Sequence, residues 1–289
     1  MLCFWSCENY QIEEQSHDLN FPIGRSYLGA SETVVMLNGD EIHPEICYDS
    51  CGGYWLKVPE SDLPEHGNLT IRFVRKKGEL QLFNESYVDG QKWLGPSYFI
   101  DSENEVLISK AAELTADLTT PIEKAKRIHQ YVSQQISFNI YKDSFLDKAS
   151  VTFELGYGTC MNFSRLYVAL CRAAGIPSRT IWGVVYGHDD DHIYDYHHQW
   201  AEVQDDSGYW HPADFNYTVR FDLNDIRYLD LIYAAEENTV IRERLSEKII
   251  LEGIHYFSDY PATLTGRLGF ELTQDARPDS MSVEYTYEF

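Results

Sequence analysis

The stretch from Gly156 to Pro177 constrains this chain more than any other. Gly156-Tyr157-Gly158 breaks regular structure and permits a tight backbone approach. Phe163, Leu166, Leu170 and Ala174 then recur at helical spacing and give one apolar face. Gly175 is placed to end that helix, and Pro177 prevents its resumption. Cys160 therefore sits at or just before a helix N-terminus. Unpaired N–H groups and the helix dipole favour a thiolate there, and the same groups can hold an oxyanion. Cys171, deep in the same helix beside Leu170 and Ala174, reads as a core residue.

Upstream, Thr120-Pro121-Ile122-Glu123 is a helix start. The threonine caps, the proline suits the first helical position, and the glutamate completes a capping box. Ile122, Ala125, Ile128, Val132 and Ile136 continue it as one apolar stripe. Downstream, Arg179 to Tyr186, Gln199 to Gln204 and Tyr209 to Pro212 read as strands. Gly187 to His197 reads as a polar connection between the first two. Phe221 to Leu245 is expected to be largely helical, and Ser282 to Phe289 alternates as a final strand.

Residues 21–100 have a β pattern. Thr33 to Leu37 precedes the hairpin-turn signal Asn38-Gly39, and Tyr54 to Val58 is a second short strand. Leu69, Ile71 and Phe73 alternate with polar residues. Lys76-Lys77-Gly78 turns the chain, and Leu80 and Leu82 resume the alternation.

His198 stands at the mouth of the strand His198-Gln199-Trp200-Ala201-Glu202-Val203. It can take a thiol proton and later return it to a leaving amine. Its other ring nitrogen needs an orienting partner. Asp214, ending the next strand, would stand beside it if the two strands are antiparallel neighbours. This is the logic of nucleophile, base and orienter. His197 precedes His198, so the identity of the base depends on strand register. Tyr157 is a candidate second oxyanion donor, although packing is the better reading of it.

His188, Asp189, Asp190, Asp191, His192, Asp195 and His197 are possible metal ligands. One polar loop does not supply the three fixed ligands of a catalytic zinc, and the run reads as solvated. Asp222, Asp225 and Asp230 read as a solvated helix face. Neither a metal nor a cofactor is expected.

Gly158-Thr159-Cys160-Met161-Asn162-Phe163-Ser164-Arg165-Leu166, continued by Ala173-Ala174-Gly175-Ile176-Pro177-Ser178-Arg179, resembles the transglutaminase-like superfamily, where a Gly-x-Cys helix runs into an "aGIPaR" turn. The family's "HxWxEV" is matched by His198, Trp200, Glu202 and Val203. Its "gxWxpxD" is matched by Gly208, Trp210, Pro212 and Asp214. The resemblance covers roughly residues 105–220. It implies an α+β, papain-like fold, with the cysteine helix packed on an antiparallel sheet that carries the histidine and the aspartate. It also implies a thioester on the cysteine, opened by water or by an amine. The expected activity is a thiol-dependent peptidase, amidase or transglutaminase-type acyltransfer on peptide or protein amides. The other class to weigh is an inactive binding or scaffold protein of the same fold at the cell surface.

The chain has 289 residues and a formal net charge of -23, from 23 basic and 46 acidic residues. Such a field repels phosphate backbones and excludes nucleic acid as an expected partner. The six cysteines include no paired CxxC motifs, and Cys47 and Cys51 are either a local disulfide or two free thiols. Met1 to Cys7 is a short apolar run ending in Ser6-Cys7, like the tail of a bacterial lipoprotein signal without its charged start. Membrane contact is expected only through a lipid on Cys7; the cell envelope or secretion is the expected location, and the cytoplasm is the alternative. Four segments result: a tether over residues 1–20, a β-rich subdomain over 21–100, a catalytic core over 101–220, and an extension over 221–289 completing that core.

Overall fold

A computed structural model describes residues 3–5, 19–23, 31–49, 54–64, 67–76, 90–139, 148–188, 193–215, 220–221, 228–233, 263–272 and 278–288. Among the described residues, the first part of the chain contributes seven strands. They are β1 (Cys3–Trp5), β2 (Leu19–Pro22), β3 (Ser31–Leu37), β4 (Asp40–Ile42), β5 (Glu45–Asp49), β6 (Tyr54–Val58) and β7 (Asn68–Lys76). Asn38 and Gly39, with φ of 52° and 91°, make the two-residue turn that joins β3 to β4. Leu69, Ile71 and Phe73 of β7 are buried, as their alternation requires. Leu80, Leu82, Cys7 and Cys51 lie outside the described residues, as do most of the tether and the turn at Lys77-Gly78.

Two helices follow, α1 (Glu105–Thr115) and α2 (Pro121–Gln135), then β8 (Ser137–Phe138) and α3 (Ala149–Leu155). The capping box of α2 forms as its sequence predicts: Glu123 N–H donates to Thr120 Oγ1, and the Glu123 carboxylate accepts from Thr120 N–H. Its stripe is buried at Ala125, Ile128 and Val132, and His129 is buried with it. β9 (Tyr157–Gly158) leads into α4 (Cys160–Ala173). That helix stops at Gly175, whose φ is 77°.

A five-stranded antiparallel sheet receives α4. Its strands are β10 (Ser178–His188), β11 (Ile193–Gln204), β12 (Trp210–Asp214), β13 (Arg220–Phe221) and β14 (Tyr228–Tyr233), in the order β13-β12-β11-β10-β14. Phe163, Leu166, Tyr167 and Leu170 of α4 share one core with Ala201 and Val203 of β11, Ala213 and Phe215. Leu107, Ala111, Ala125 and Ile128 from α1 and α2 close that core. The architecture is α+β, with the cysteine-bearing helix on an antiparallel sheet.

Three expectations change. The Gly187–His197 connection is mostly strand, because β10 runs to His188 and β11 begins at Ile193. Ile193, Tyr194 and Tyr196 are strong strand formers, and they outweigh the His and Asp residues between them. Phe221 to Leu245 is not a helix where it is described: Arg220–Phe221 and Tyr228–Tyr233 are strands, and Asp230 pairs with Gly183 of β10. Tyr228-Leu229-Asp230-Leu231-Ile232-Tyr233 is an apolar and aromatic run that completes the free side of β10. Asp222 and Asp225 lie outside the described residues.

The last two strands form the third difference. β15 (Thr263–Leu272) and β16 (Pro278–Glu288) form a hairpin, and β16 pairs along β7 from Ser280↔Lys76 to Glu288↔Asn68. Within the 221–289 extension, β14 lies in the sheet of the cysteine helix, whereas this hairpin belongs to the sheet β15-β16-β7-β3-β4. No helix among the described residues is long and apolar enough to cross a membrane.

Candidate active site

Cys160 opens α4, and it is partly exposed, whereas Cys171 is buried in the core. Burial pushes the Cys171 thiol well above the ordinary range, which leaves it inert. The turn before Cys160 is fixed by Asn162. Its Oδ1 accepts from Thr159 N–H at 2.9 Å and from Thr159 Oγ1 at 3.0 Å, and its Nδ2 donates to Thr152 Oγ1 at 3.3 Å. These bonds are buried and tie the entry of α4 to α3. Gly158 is required by the same packing. A Cβ there would run into the Asn162 side chain, lying 2.8 Å from its Cγ.

Ser164 bridges the helix to the histidine strand. Its Oγ lies 2.9 Å from Cys160 O and 3.1 Å from Gln199 O, so its one proton is shared between the two carbonyls. That joins the first turn of α4 to the residue after His198. Sequence reasoning missed this role. Its signal was a small polar residue four positions after the cysteine, one helical turn along.

His198 lies on β11 opposite Gly183 of β10, and Asp214 ends β12. His198 Nε2–H donates to Asp214 Oδ1 at 2.9 Å, and both side chains are buried. The register question raised by His197 is thus answered, since His198 meets the aspartate. Asp214 Oδ1 also accepts from Phe215 N–H at 2.6 Å. Trp200 stacks beside the imidazole, with ring centroids 6.1 Å apart. With Nε2 committed to Asp214, Nδ1 is the ring nitrogen left for the Cys160 thiol.

Burial alone would lower the His198 pKa. Its hydrogen bond to Asp214, the nearby Cys160 and the charges on both outweigh burial and raise it from 6.5 to about 9. Keeping that proton stabilises the fold. The contribution is full below pH 6.5 and is lost as pH rises through about 9. Urea unfolding from about pH 6 to about pH 10 is therefore expected to show falling stability, and His198→Gln to remove this component. Equal slopes in the two proteins would contradict the assignment.

Arg179 and Glu202 stand opposite each other on β10 and β11. The Arg179 Nη2 is 3.2 Å from Glu202 Oε2, and the guanidinium lies over the Trp210 ring at 4.0 Å. This pair belongs to the two strands that hold the site, not to the reacting groups. Tyr157 is half-buried on β9, where the parallel partner of its strand is β8.

A family model described as the transglutaminase-like superfamily matches residues 108–215. The chain is 26% identical over 242 residues to the uncharacterized protein YebA of Bacillus subtilis strain 168, covering 68% of this chain and 30% of that protein. The chain thus spans less than a third of that relative. A candidate cysteine protease structure from Cytophaga hutchinsonii aligns at 16% identity and a TM-score of 0.45, covering 78% of this chain and 81% of that one. The periplasmic domain of TgpA from Pseudomonas aeruginosa aligns at 15% identity and a TM-score of 0.38, covering 72% of this chain and 96% of that one. The family match begins in α1, runs through the cysteine helix and the histidine strand, and ends one residue beyond Asp214. Residues 108–215 are a domain of the transglutaminase-like superfamily.

Proposed function

We propose that this chain is a cysteine-dependent enzyme that opens peptide or protein amide bonds through a thioester on Cys160. The observation that carries the reading is the buried His198–Asp214 pair, 2.9 Å apart, next to a thiol at a helix N-terminus. His198 takes the thiol proton as the sulfur attacks, and its raised pKa favours the imidazolium that results. The Cys160 sulfur adds to the amide carbonyl. The oxyanion is met by the Cys160 N–H and the positive end of α4. The C–N bond then breaks as His198 protonates the departing amine. Water or an amine, deprotonated by the now neutral His198, attacks the thioester and releases the thiol. Hydrolysis is favoured over transfer, because water reaches an open site without a second binding surface.

The test uses the full chain and a peptide library, with and without an added primary amine. Acid quenching and mass spectrometry are expected to find an acyl adduct on Cys160. Released peptides then mark hydrolysis, and amine conjugates mark transfer. If no adduct and no turnover appear, and iodoacetamide alkylates Cys160 no faster than in the denatured chain, the catalytic reading fails. A binding or scaffold role would then stand in its place.

A further inference from the structure

One buried titratable group next to the site takes no part in the mechanism above. His129 lies on α2, inside the apolar stripe of that helix. Its Nε2 is 2.7 Å from the backbone carbonyl oxygen of Asp214. A carbonyl oxygen only accepts, so His129 donates from Nε2. Its ring packs at 4.6 Å from Phe215 and at 6.0 Å from both Tyr167 and Phe221. Burial keeps the imidazole below its ordinary pKa, so it is a neutral donor at pH 7.

The Asp214 carbonyl and the Phe215 N–H belong to one planar peptide unit. His129 holds the carbonyl end, and the Asp214 carboxylate accepts from the N–H end at 2.6 Å. Rotating this peptide would break both bonds. The direction of the Phe215 N–H, which anchors the carboxylate oxygen facing His198, is therefore set from the far side by α2.

We propose that His129 is a positioning residue, which through the Asp214–Phe215 peptide fixes the carboxylate that orients His198. This rests on the reading of Asp214 as the orienting acid. Loss of the His129 donor frees the peptide, loosens the carboxylate, and weakens the support of the His198 imidazolium.

Iodoacetamide alkylation of Cys160 in the full chain, followed against pH by peptide mass spectrometry, reads this arrangement without a known substrate. His129→Phe keeps a ring beside Phe215 and removes the donor. The upper inflection of its rate–pH profile, near 9 where His198 loses its proton, is expected to move down by about one unit. His129→Gln retains an N–H donor and is expected to restore most of that shift. An unchanged profile in His129→Phe, or an equal shift in both variants, overturns the proposal. Should His129→Phe not fold, His129→Gln decides: a wild-type-like profile supports the proposal and a one-unit shift overturns it. A wild-type Cys160 no more reactive than in urea sinks the reading of the site, and this proposal with it. A reactive wild type with an unaltered His129→Phe sinks the proposal alone.

Discussion

Cys160→Ala and His198→Ala are each expected to lower turnover by roughly a millionfold, and Asp214→Ala by roughly ten-thousandfold. The ranking follows from the role proposed for each group. Without the sulfur there is no thioester, and without the imidazole the thiol loses both its base and the acid for the leaving amine. Asp214 acts one bond away, through its 2.9 Å contact with His198 Nε2. Its removal leaves a histidine that can still turn and ionise, though less often in the productive direction. The effects are not additive, because the three groups act as a unit. The double variant Cys160→Ala/His198→Ala is expected to be no worse than either single one. Steady-state rates on a library-selected peptide check this. Additive losses would mean that the groups work separately.

The second large effect is on stability. Arg179→Met is expected to cost about 3–5 kcal/mol, because it takes the ion-pair partner from the buried Glu202 carboxylate. The guanidinium is fully buried and also lies over Trp210, so packing is lost along with charge. Replacing both partners, Arg179→Met with Glu202→Leu, is expected to recover most of that loss, since no charge is then left without its partner. Urea midpoints measure the cycle. A double variant as weak as the single one would show that the ion pair itself, and not the stranded charge, carries the stability. The pair sits four residues along β11 from His198 and ties β10 to the strand that carries the imidazole.

What the sequence showed directly were features whose partners lie nearby in the chain. The capping box at Thr120, the helix start at Cys160, the stop at Gly175 and the Asn38-Gly39 turn are each written within a few residues. Cys160 and Asp214 stand out for a related reason, as the one opens a helix and the other ends a strand, whereas His198 lies inside β11 and not at its mouth as the sequence suggested. The register that joins His198 to Asp214 was not legible. It is set by the pairing of β11 with β12, from Ala201↔Ala213 to Gln204↔Trp210, which no local pattern specifies.

His129 was invisible because its bond to Asp214 spans 85 residues. Read locally, it is only a polar residue within an apolar stripe. That mismatch was itself a signal, since a buried imidazole needs a partner. The strand at Tyr228–Tyr233 was misread as helix because a continuous apolar run carries no strand period. What decided it was the free side of β10, a tertiary demand with no local trace.

The pairing of β16 with β7 bears on how the chain is made. The ribosome delivers β3, β4 and β7 long before β15 and β16, with the whole cysteine domain synthesised between them. Until then β7, whose buried face is Leu69, Ile71 and Phe73, keeps one open side. The cysteine domain draws on none of the last two strands for its own sheet, so it can fold first. The sheet built on β7 must wait until β15 and β16 have been synthesised, and until then a chaperone has reason to hold it.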